Sequence, residues 1–314
     1  IHGGVARNVV EDIANMELRP TFVSIVDDTP MGAAVVEKLR NHKVNTDYIM
    51  TIPDGMGTWL AVFNEDGDVA GSISKRPNML PVADLLEEKG DEIFSQISSV
   101  VIEVDLDKEI VKLTLELAQK HNVKVFGVVS NMSIASKRRD FLKSFDCFIC
   151  NQQEAGQLFL DDYSEKTPEE LCNILAEKIQ RARIPAMVVT MGGKGAVYAD
   201  LLGNKGFCPA KKVQVKDTTG AGDIFGGSAL WKLLQLLTPM STSSSSTATP
   251  SALTTLQVSH SRKSSPATWL ATLPLWKATP SWASPAVAAA PTPLASVSAT
   301  ASFRALRLLQ QQRA

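Results

Sequence analysis

A glycine-rich stretch between two apolar segments constrains this chain most. The stretch is Lys216–Asp223, with the sequence KDTTGAGD. It follows Val213–Val215, whose alternation predicts a strand, and it precedes Ile224–Leu236, which predicts a helix. Glycines at 220 and 222 permit a tight turn that directs several backbone N–H groups to one point, where the positive end of the helix dipole also lies. The stretch therefore predicts a site for a phosphate or an oxyanion.

Asp223 closes this turn, where a carboxylate can take a proton from a nearby hydroxyl. A base beside an anion site formed by the backbone of Gly220, Ala221 and Gly222 is suited to moving a phosphoryl group to an alcohol. The spacing is equally typical of a glycine-rich turn capped by Asp. Asp217 is interpreted as a turn or cap residue rather than as a second base.

Composition narrows the class of protein. The chain has 314 residues and a net charge of −1, which provides no bulk attraction to nucleic acid or to a membrane. No apolar run reaches ~18 residues, so no membrane span is predicted. Cys147 and Cys150 have CxxC spacing but lie in an apolar run, and we interpret them as buried free thiols rather than a redox or metal pair.

Strand-like and helix-like segments alternate along most of the chain. A helix over residues 4–16, a strand at Thr21–Val26 and a helix beginning at Pro30 are typical of an α/β fold with a mostly parallel sheet. The alternation stops between about residues 47 and 75, where three short strands follow one another. These strands predict a small sheet that stands off the main one, or an ordinary meander at its edge.

The chain changes character after about Leu237. Ser, Thr, Ala and Pro make up 49 of the 77 residues from 238 to 314, and no Asp or Glu occurs after Asp223. Such a segment without a sustained period is predicted to be disordered or non-native. A change of reading frame in the gene shortly after Asp223 is our hypothesis for the sudden loss of acidic residues.

Four motifs resemble the signatures of the ribokinase/PfkB carbohydrate kinase family. They are GGVARN (3–8), NQQE (151–154), TMGGKG (190–195) and DTTGAGD (217–223), in the family's order over roughly residues 1–230. GGVARN and the stretch MGGKGAVYAD look most like the pseudouridine kinase branch. The resemblance implies a ribokinase-like α/β domain over 1–237, with a β lid at about 47–75 over the sugar site.

The resemblance also implies ATP-dependent transfer of the γ-phosphate to a primary hydroxyl. Asp223 would be the base, and the Gly220–Gly222 backbone would hold the transferring charge. Gly3, Gly4 and Asn8 match the family's substrate-contacting motif, although Asn8 could instead make a local cap or turn bond. Asp105 follows a strand at Ser99–Val104 and is preferred over Glu103 as a substrate-facing carboxylate, with a plain surface acid as the alternative.

The nucleotide site is assigned by the same resemblance. Thr190, Gly192 and Gly195 match the family's nucleotide loop, and Asn151 and Glu154 would hold water molecules of Mg²⁺ bound to ATP. The sequence alone favours a simpler interpretation for the last two, in which Asn151 caps a helix and Glu154 closes a capping box.

Pseudouridine is the preferred substrate at this point, followed by ribose or another nucleoside or sugar. The expected cofactors are ATP and Mg²⁺, and the expected partner is a small molecule, with no nucleic acid or membrane. A homodimer through the lid is a further expectation. Since no signal peptide is visible, the chain is interpreted as a fragment of a cytoplasmic protein. Because Ile1 already lies within a motif, the family's first strand and its substrate-binding acid are expected to be missing. The alternative is therefore an inactive fragment that at most binds nucleotide.

Overall fold

The computed structural model describes residues 2–63, 69–212, 220–237 and 268–278 of the chain. The strands are β1 His2–Gly3, β2 Arg19–Val26, β3 Ile49–Thr51, β4 Met56–Phe63, β5 Val69–Lys75, β6 Ile97–Glu103, β7 Lys124–Val128, β8 Cys147–Asn151, β9 Ala186–Thr190, β10 Gly195–Asp200, β11 Lys205–Pro209 and β12 Thr268–Ala278. The helices are α1 Val5–Asn15, α2 Pro30–Asn41, α3 Leu80–Phe94, α4 Lys108–His121, α5 Met132–Ala135, α6 Arg139–Leu142, α7 Gln152–Phe159, α8 Pro168–Ala182 and α9 Ala221–Leu237.

The main sheet has the strand order β11-β10-β9-β8-β7-β6-β12-β2-β3. Neighbours from β9 to β3 pair in parallel, and β10 pairs antiparallel with both β9 and β11. β2 and β6 are buried along most of their length, as expected for parallel strands covered by helices on both faces. The predicted α/β class with a mostly parallel sheet is confirmed.

Helix α1 illustrates how the sequence pattern directs the packing. Its apolar residues Val9 and Ile13 lie one turn apart and are buried, so one face of the helix packs on the interior. Gly4, with φ of 113°, starts the helix in a conformation that favours glycine. The helix predicted over 4–16 is confirmed at Val5–Asn15.

The lid differs from the prediction in one strand. β4 and β5 form an antiparallel pair, but β3 pairs in parallel with β2 and so extends the main sheet. The local sequence of β3 could not reveal this, because the pairing depends on Ser24–Val26, which are distant in the chain. The hairpin turn predicted at Glu65–Asp68 lies outside the described residues.

The tail also differs from the prediction over eleven residues. β12 lies in the main sheet, parallel to β2 on one side and to β6 on the other, and it continues to β4 and β1. Between two buried strands, a vacant position would leave two rows of backbone donors and acceptors without partners, which explains why an extended segment is stable there. Disorder of the rest of 238–314 remains a prediction. The division of the chain at about residue 237 also remains a prediction.

Two expectations about the chain's chemistry can be compared with the described residues. Cys147 and Cys150 are free and buried, and burial raises the pKa of the Cys147 thiol to about 12, as expected for unreactive core thiols. Within the described part of the chain, no helix combines the length and the apolar character needed to cross a membrane.

Candidate active site

The start of helix α9 meets helix α1 at one end of the molecule. Asn8 Nδ2 donates a hydrogen bond of 2.7 Å to Asp223 Oδ2, which joins residues 215 positions apart in the chain. The helices approach closely because residue 227 is glycine, where an added Cβ would lie 3.0 Å from Cβ of Asp12. The packing therefore places Asn8 and Asp223 side by side.

Asp223 has the acidity expected of a base that works near neutral pH. Burial raises the pKa of this carboxyl to about 6, and the hydrogen bond from Asn8 and the charge of Arg7 offset the effect only in part. Arg7 itself donates to Asn8 Oδ1 through Nη2 at 2.9 Å, which fixes the amide so that its NH₂ group points at Asp223. Asn8 thus orients a carboxylate that still accepts protons.

Asp223 lies in the first turn of α9, where the backbone N–H groups of the helix start also lie. Gly220 precedes the helix with φ of 77°, and the first helical bond runs from Ile224 N to Gly220 O at 3.0 Å. Since the first N–H groups of a helix have no partner within it, those of exposed Ala221 and Gly222 are available to an anion. The preceding part of the motif, Lys216–Thr219, and with it Asp217, lies outside the described residues.

Gly3 and Gly4 lie at the start of α1, on the same side as Asn8. A Cβ added at Gly3 would meet no atom within 4 Å, so the space beside it is open. Gly3 pairs with Trp276 of β12, and Gly4 adopts the positive φ described above. Backbone in this arrangement can be approached closely by a ligand.

Asp105 follows β6 and is enclosed rather than open. Its side chain is 0% exposed, and Arg76 Nη2 pairs with Asp105 Oδ2 at 2.5 Å. Ser130 donates to the same carboxylate through its backbone N at 2.9 Å and its hydroxyl at 2.8 Å. In this conformation the carboxylate is occupied by the protein's own donors and does not face an open site, which differs from the expected substrate-facing position.

Glu103 ends β6 and is also buried, with 1% of its surface exposed. Its Oε2 atom has no hydrogen-bond partner among the described residues. Burial and the neighbouring charge of Asp105 raise the pKa of Glu103 well above its ordinary value, and Asp223 adds to the effect. Glu103 therefore belongs to the same group of interacting acids as Asp105 and Asp223.

The Asn151–Glu154 motif forms the capping box that the sequence pattern suggested. Asn151 Oδ1 accepts from Glu154 N at 2.8 Å, and Glu154 Oε2 accepts from Asn151 N at 2.7 Å. Burial, together with the charges of Asp105 and Asp223, raises the pKa of Glu154 to about 7. The box thus caps α7 and also brings a carboxylate into the field of the other acids.

The nucleotide loop lies beside this box. Thr190, at the end of β9, pairs with Asn151 of β8, and Gly192 follows with φ of 54°. Gly195 requires glycine more strictly, since its φ is 121° and an added Cβ would lie 2.1 Å from the carbonyl oxygen of Cys208. Asn151, Thr190 and Gly192 border a cleft of about 1120 Å³ that continues along α7.

Lys194 is an exposed residue of this loop, and its ammonium group contacts the carbonyl of Lys166 at 3.5 Å. This contact is typical of an exposed turn lysine rather than of a phosphate ligand.

The acids at this edge are suited to a hydrated cation rather than to direct ligation. Among the described residues, no group of three or more His, Cys, Asp or Glu side chains could hold a metal ion directly. However, Glu103, Glu154 and Asp223 all have raised pKa values, and neighbouring carboxylates contribute to the shift at Glu103 and at Glu154. A nearby divalent cation would relieve this repulsion, so the donor set fits Mg²⁺ held partly through water.

The sequence reasoning assigned no role to three residues of the site. Arg7 orients Asn8, and Arg76 and Ser130 hold Asp105. Arg7 lies inside the GGVARN motif, so its position could have suggested a role. Arg76 and Ser130 are brought to Asp105 by the fold alone, from 29 and 25 positions away in the chain.

Comparison with known proteins shows the family of this chain. Residues 1–266 match the description of the pfkB family carbohydrate kinases. A guanosine-inosine kinase from Exiguobacterium acetylicum is 33% identical over 236 residues, covering 74% of this chain and 77% of the relative. A pseudouridine kinase from Escherichia coli is 25% identical over 223 residues, covering 70% and 69%.

A solved structure supports the fold at lower sequence identity. The Arabidopsis thaliana ribokinase, solved with ribose and ATP, aligns with a TM-score of 0.63 and 20% identity, covering 74% of this chain and 75% of that one. The predicted ribokinase-like architecture is confirmed.

Proposed function

The chain belongs to the PfkB family of carbohydrate kinases, and on this basis we propose that it transfers the γ-phosphate of ATP to a primary hydroxyl of a nucleoside. The observation that supports the proposal is the contact between Asn8 and Asp223, which holds a carboxylate of raised pKa in the exposed first turn of α9. A base and an anion-binding helix end at one place are the parts that phosphoryl transfer needs.

In the proposed reaction, Asp223 accepts the proton of the substrate hydroxyl. The freed oxygen forms a bond to the γ-phosphorus, and the bond between that phosphorus and the bridging β–γ oxygen breaks, so that ADP leaves. With its pKa near 6, Asp223 is ionised at neutral pH and basic enough to take the proton as the bond forms. Asn8 keeps the carboxylate in place during the step.

Backbone donors are proposed to stabilise the charge that develops on the phosphoryl group. The N–H groups of Gly220, Ala221 and Gly222 would stabilise it, together with the dipole of α9. Gly3 and Gly4 provide an open backbone surface for the sugar. Thr190, Gly192 and Gly195 would contact the nucleotide, and the bordering cleft leaves room there.

Asn151 and Glu154 would hold a hydrated Mg²⁺ through water. Mg²⁺ supplies neutralisation of phosphate charge when it is bound. The raised pKa of Glu154 supports this role, because a carboxylate that is costly to ionise alone gains most from a cation. The cap of α7 holds Glu154 in place for the task.

Guanosine and inosine now precede pseudouridine as candidate substrates. The relative named for guanosine and inosine is 33% identical, whereas the one named for pseudouridine is 25% identical. The comparisons therefore do not support the preference for pseudouridine that the GGVARN motif suggested. Ribose remains the first alternative outside the nucleosides.

The test is a phosphorylation screen of this chain with ATP and Mg²⁺. Guanosine, inosine, pseudouridine and ribose are offered separately, the product is detected by its added phosphate mass, and Asp223→Asn is the control. We expect the wild-type chain to convert guanosine or inosine fastest. If no acceptor is converted while ATP–Mg²⁺ still raises the melting temperature, the transferase assignment is wrong and nucleotide binding alone remains.

The lid is proposed as a contact between two copies of the chain. Leu60, Val62 and Ile73 on its strands are 43%, 63% and 72% exposed, which is unusual for large apolar side chains on a two-stranded sheet. A second lid could cover them. Replacing Val62 and Ile73 by Thr should leave a protein that elutes as a monomer in size-exclusion chromatography, whereas the parent elutes as a dimer.

A further inference from the structure

We propose that Arg76 is a positioning residue that fastens the base of the lid to the sheet edge through Asp105, and so holds the acceptor against Asp223. The inference rests on the proposed function, because it assigns a role in acceptor binding. It arises from a contact that the sequence motifs do not contain, the enclosed ion pair between Arg76 and Asp105.

The contact is a fork rather than a single bond. Arg76 Nη2 donates to Asp105 Oδ2 at 2.5 Å and to the Ser130 hydroxyl at 3.1 Å. Arg76 Nη1 donates to the backbone carbonyl of Asp105 at 3.2 Å. A planar guanidinium with several donors fixes both the position and the orientation of the chain that carries it.

The position of Arg76 in the chain makes this contact a link between the lid and the main sheet. Arg76 directly follows β5, the strand that returns from the lid, and precedes helix α3. Asp105 follows β6, and Ser130 follows β7, so the fork joins the end of the lid to the carboxyl ends of two central strands. Any outward swing of the lid about this end must break the ion pair.

The enclosure of Asp105 makes the pair costly to break. The carboxylate is 0% exposed and the Arg76 side chain is 27% exposed. Removing the cation would leave a buried charge whose remaining side-chain and backbone donors, among the described residues, are the two of Ser130, which is strongly unfavourable. The structure therefore favours the closed attachment of the lid over an open one.

A neighbouring ion pair supplies the contrast. Lys75, the residue before Arg76, pairs with Asp54 at 2.5 Å, but these side chains are 57% and 73% exposed. Exposed pairs contribute little because water screens them. Lys75 and Arg76 thus lie next to each other at the base of the same lid, and only the second makes a buried contact with the sheet edge.

The test compares Arg76→Ala, Arg76→Lys and the matched control Lys75→Ala in the full chain. The first measurement is hydrogen exchange without any substrate. In Arg76→Ala, we expect amides of β4 and β5 to exchange roughly tenfold faster or more, with those of β8 and β9 unchanged. Arg76→Lys should be intermediate because it keeps the charge without the fork. Lys75→Ala should match the parent.

The second measurement is steady-state kinetics with inosine or guanosine and ATP. In Arg76→Ala, we expect KM for the acceptor to rise about tenfold or more while KM for ATP changes less than about twofold. A role in general stability would raise both values or neither. The inference is overturned if exchange in β4 and β5 is unchanged, or if exchange also rises in β8 and β9 to the same degree.

The two measurements separate this inference from the proposed function. If the parent converts no acceptor, the proposed function fails, and hydrogen exchange alone decides whether Arg76 fastens the lid. If the parent is active and Arg76→Ala raises KM for ATP as much as KM for the acceptor, the positioning role falls while the kinase assignment stands.

Discussion

Two helices of this protein begin with the same local device and face different surroundings. Helix α7 begins with a capping box between Asn151 and Glu154, and helix α8 with one between Thr167 and Glu170. In both, the cap side chain accepts from the backbone N of the Glu, and the Glu accepts from the backbone N of the cap. By local geometry the two are equivalent.

The pKa values of the two glutamates are nevertheless shifted in opposite directions. Burial and the charges of Asp105 and Asp223 raise the pKa of Glu154 to about 7. The exposed Glu170 has a lowered pKa, because its hydrogen bonds from Thr167 favour the ionised form and little opposes them. The motif supplies the helix start in each case, and burial together with the surrounding acids raises the pKa of only one of the two carboxylates, the one proposed to hold a hydrated cation.

Replacing Asp223 by Asn should have the largest effect on activity, and it should change the pKa of the glutamate in only one of the two capping boxes. We expect kcat to fall by about 10²–10⁴, since the general base is lost. The pKa of Glu154 should also decrease, because Asp223 raises it, and that of Glu170 should stay constant. Kinetics and carboxyl titration by NMR measure the two effects. A variant with the parent's kcat would contradict the assignment of the base.

Replacing each Glu by Gln should separate the cation role from the capping role. Gln can still close a capping box, so the helices should start as before. Glu154→Gln should raise the Mg²⁺ concentration for half-maximal activity by roughly ten- to a hundredfold. Glu170→Gln is the matched control and should not change it. Equal Mg²⁺ dependence in both variants would show that Glu154 serves only as a cap.

The sequence revealed the motifs more fully than it revealed their environments. The strand and helix periods predicted the parallel sheet, and two motifs singled out Asn8 and Asp223, which the fold brings into contact. Each inference rested on local periodicity or on a known motif, and both can be recognised in the sequence without knowledge of distant contacts.

What the sequence could not reveal depends on long-range pairing. Asp105 looked like an open carboxylate at a strand end, but Arg76 encloses it from 29 positions away. β3 looked like a lid strand and joined the main sheet through β2. β12 lies in a segment whose composition predicted disorder, and its position is defined by β2 and β6 on either side.

The dependence of stability on pH should have opposite signs for the two Glu→Gln variants. Glu154 has a folded pKa near 7, above its ordinary value of 4.5, so the parent loses stability as pH rises through this window. Glu154→Gln avoids that loss. Its free energy of unfolding should therefore increase by roughly 1–3 kcal/mol relative to that of the parent between acid pH and pH 8.

Glu170 should show the reverse trend, since its folded pKa is lowered. The parent gains stability from this group above the ordinary pKa of 4.5 and loses it as pH falls through the lower folded value. Glu170→Gln should therefore lose stability relative to the parent at neutral pH, and the difference should vanish in acid. Denaturant melts of both variants from pH 3 to pH 8.5 measure the two trends, and curves of the same sign would contradict the comparison.

Removal of the caps should have the smallest effect and should make the two boxes look alike. Asn151→Ala and Thr167→Ala each delete one side-chain acceptor at a helix start, which costs about 1 kcal/mol. We expect similar losses in chemical denaturation, because the cap bonds are equivalent. The two variants should differ in their KM for ATP. Asn151→Ala also removes a side chain that borders the cleft proposed for the nucleotide and that accepts from the backbone N of Glu154, so KM for ATP should rise severalfold. Thr167→Ala should keep the parent's KM, and a rise of equal size in both variants would mean that the loss of α7's cap acts through stability alone.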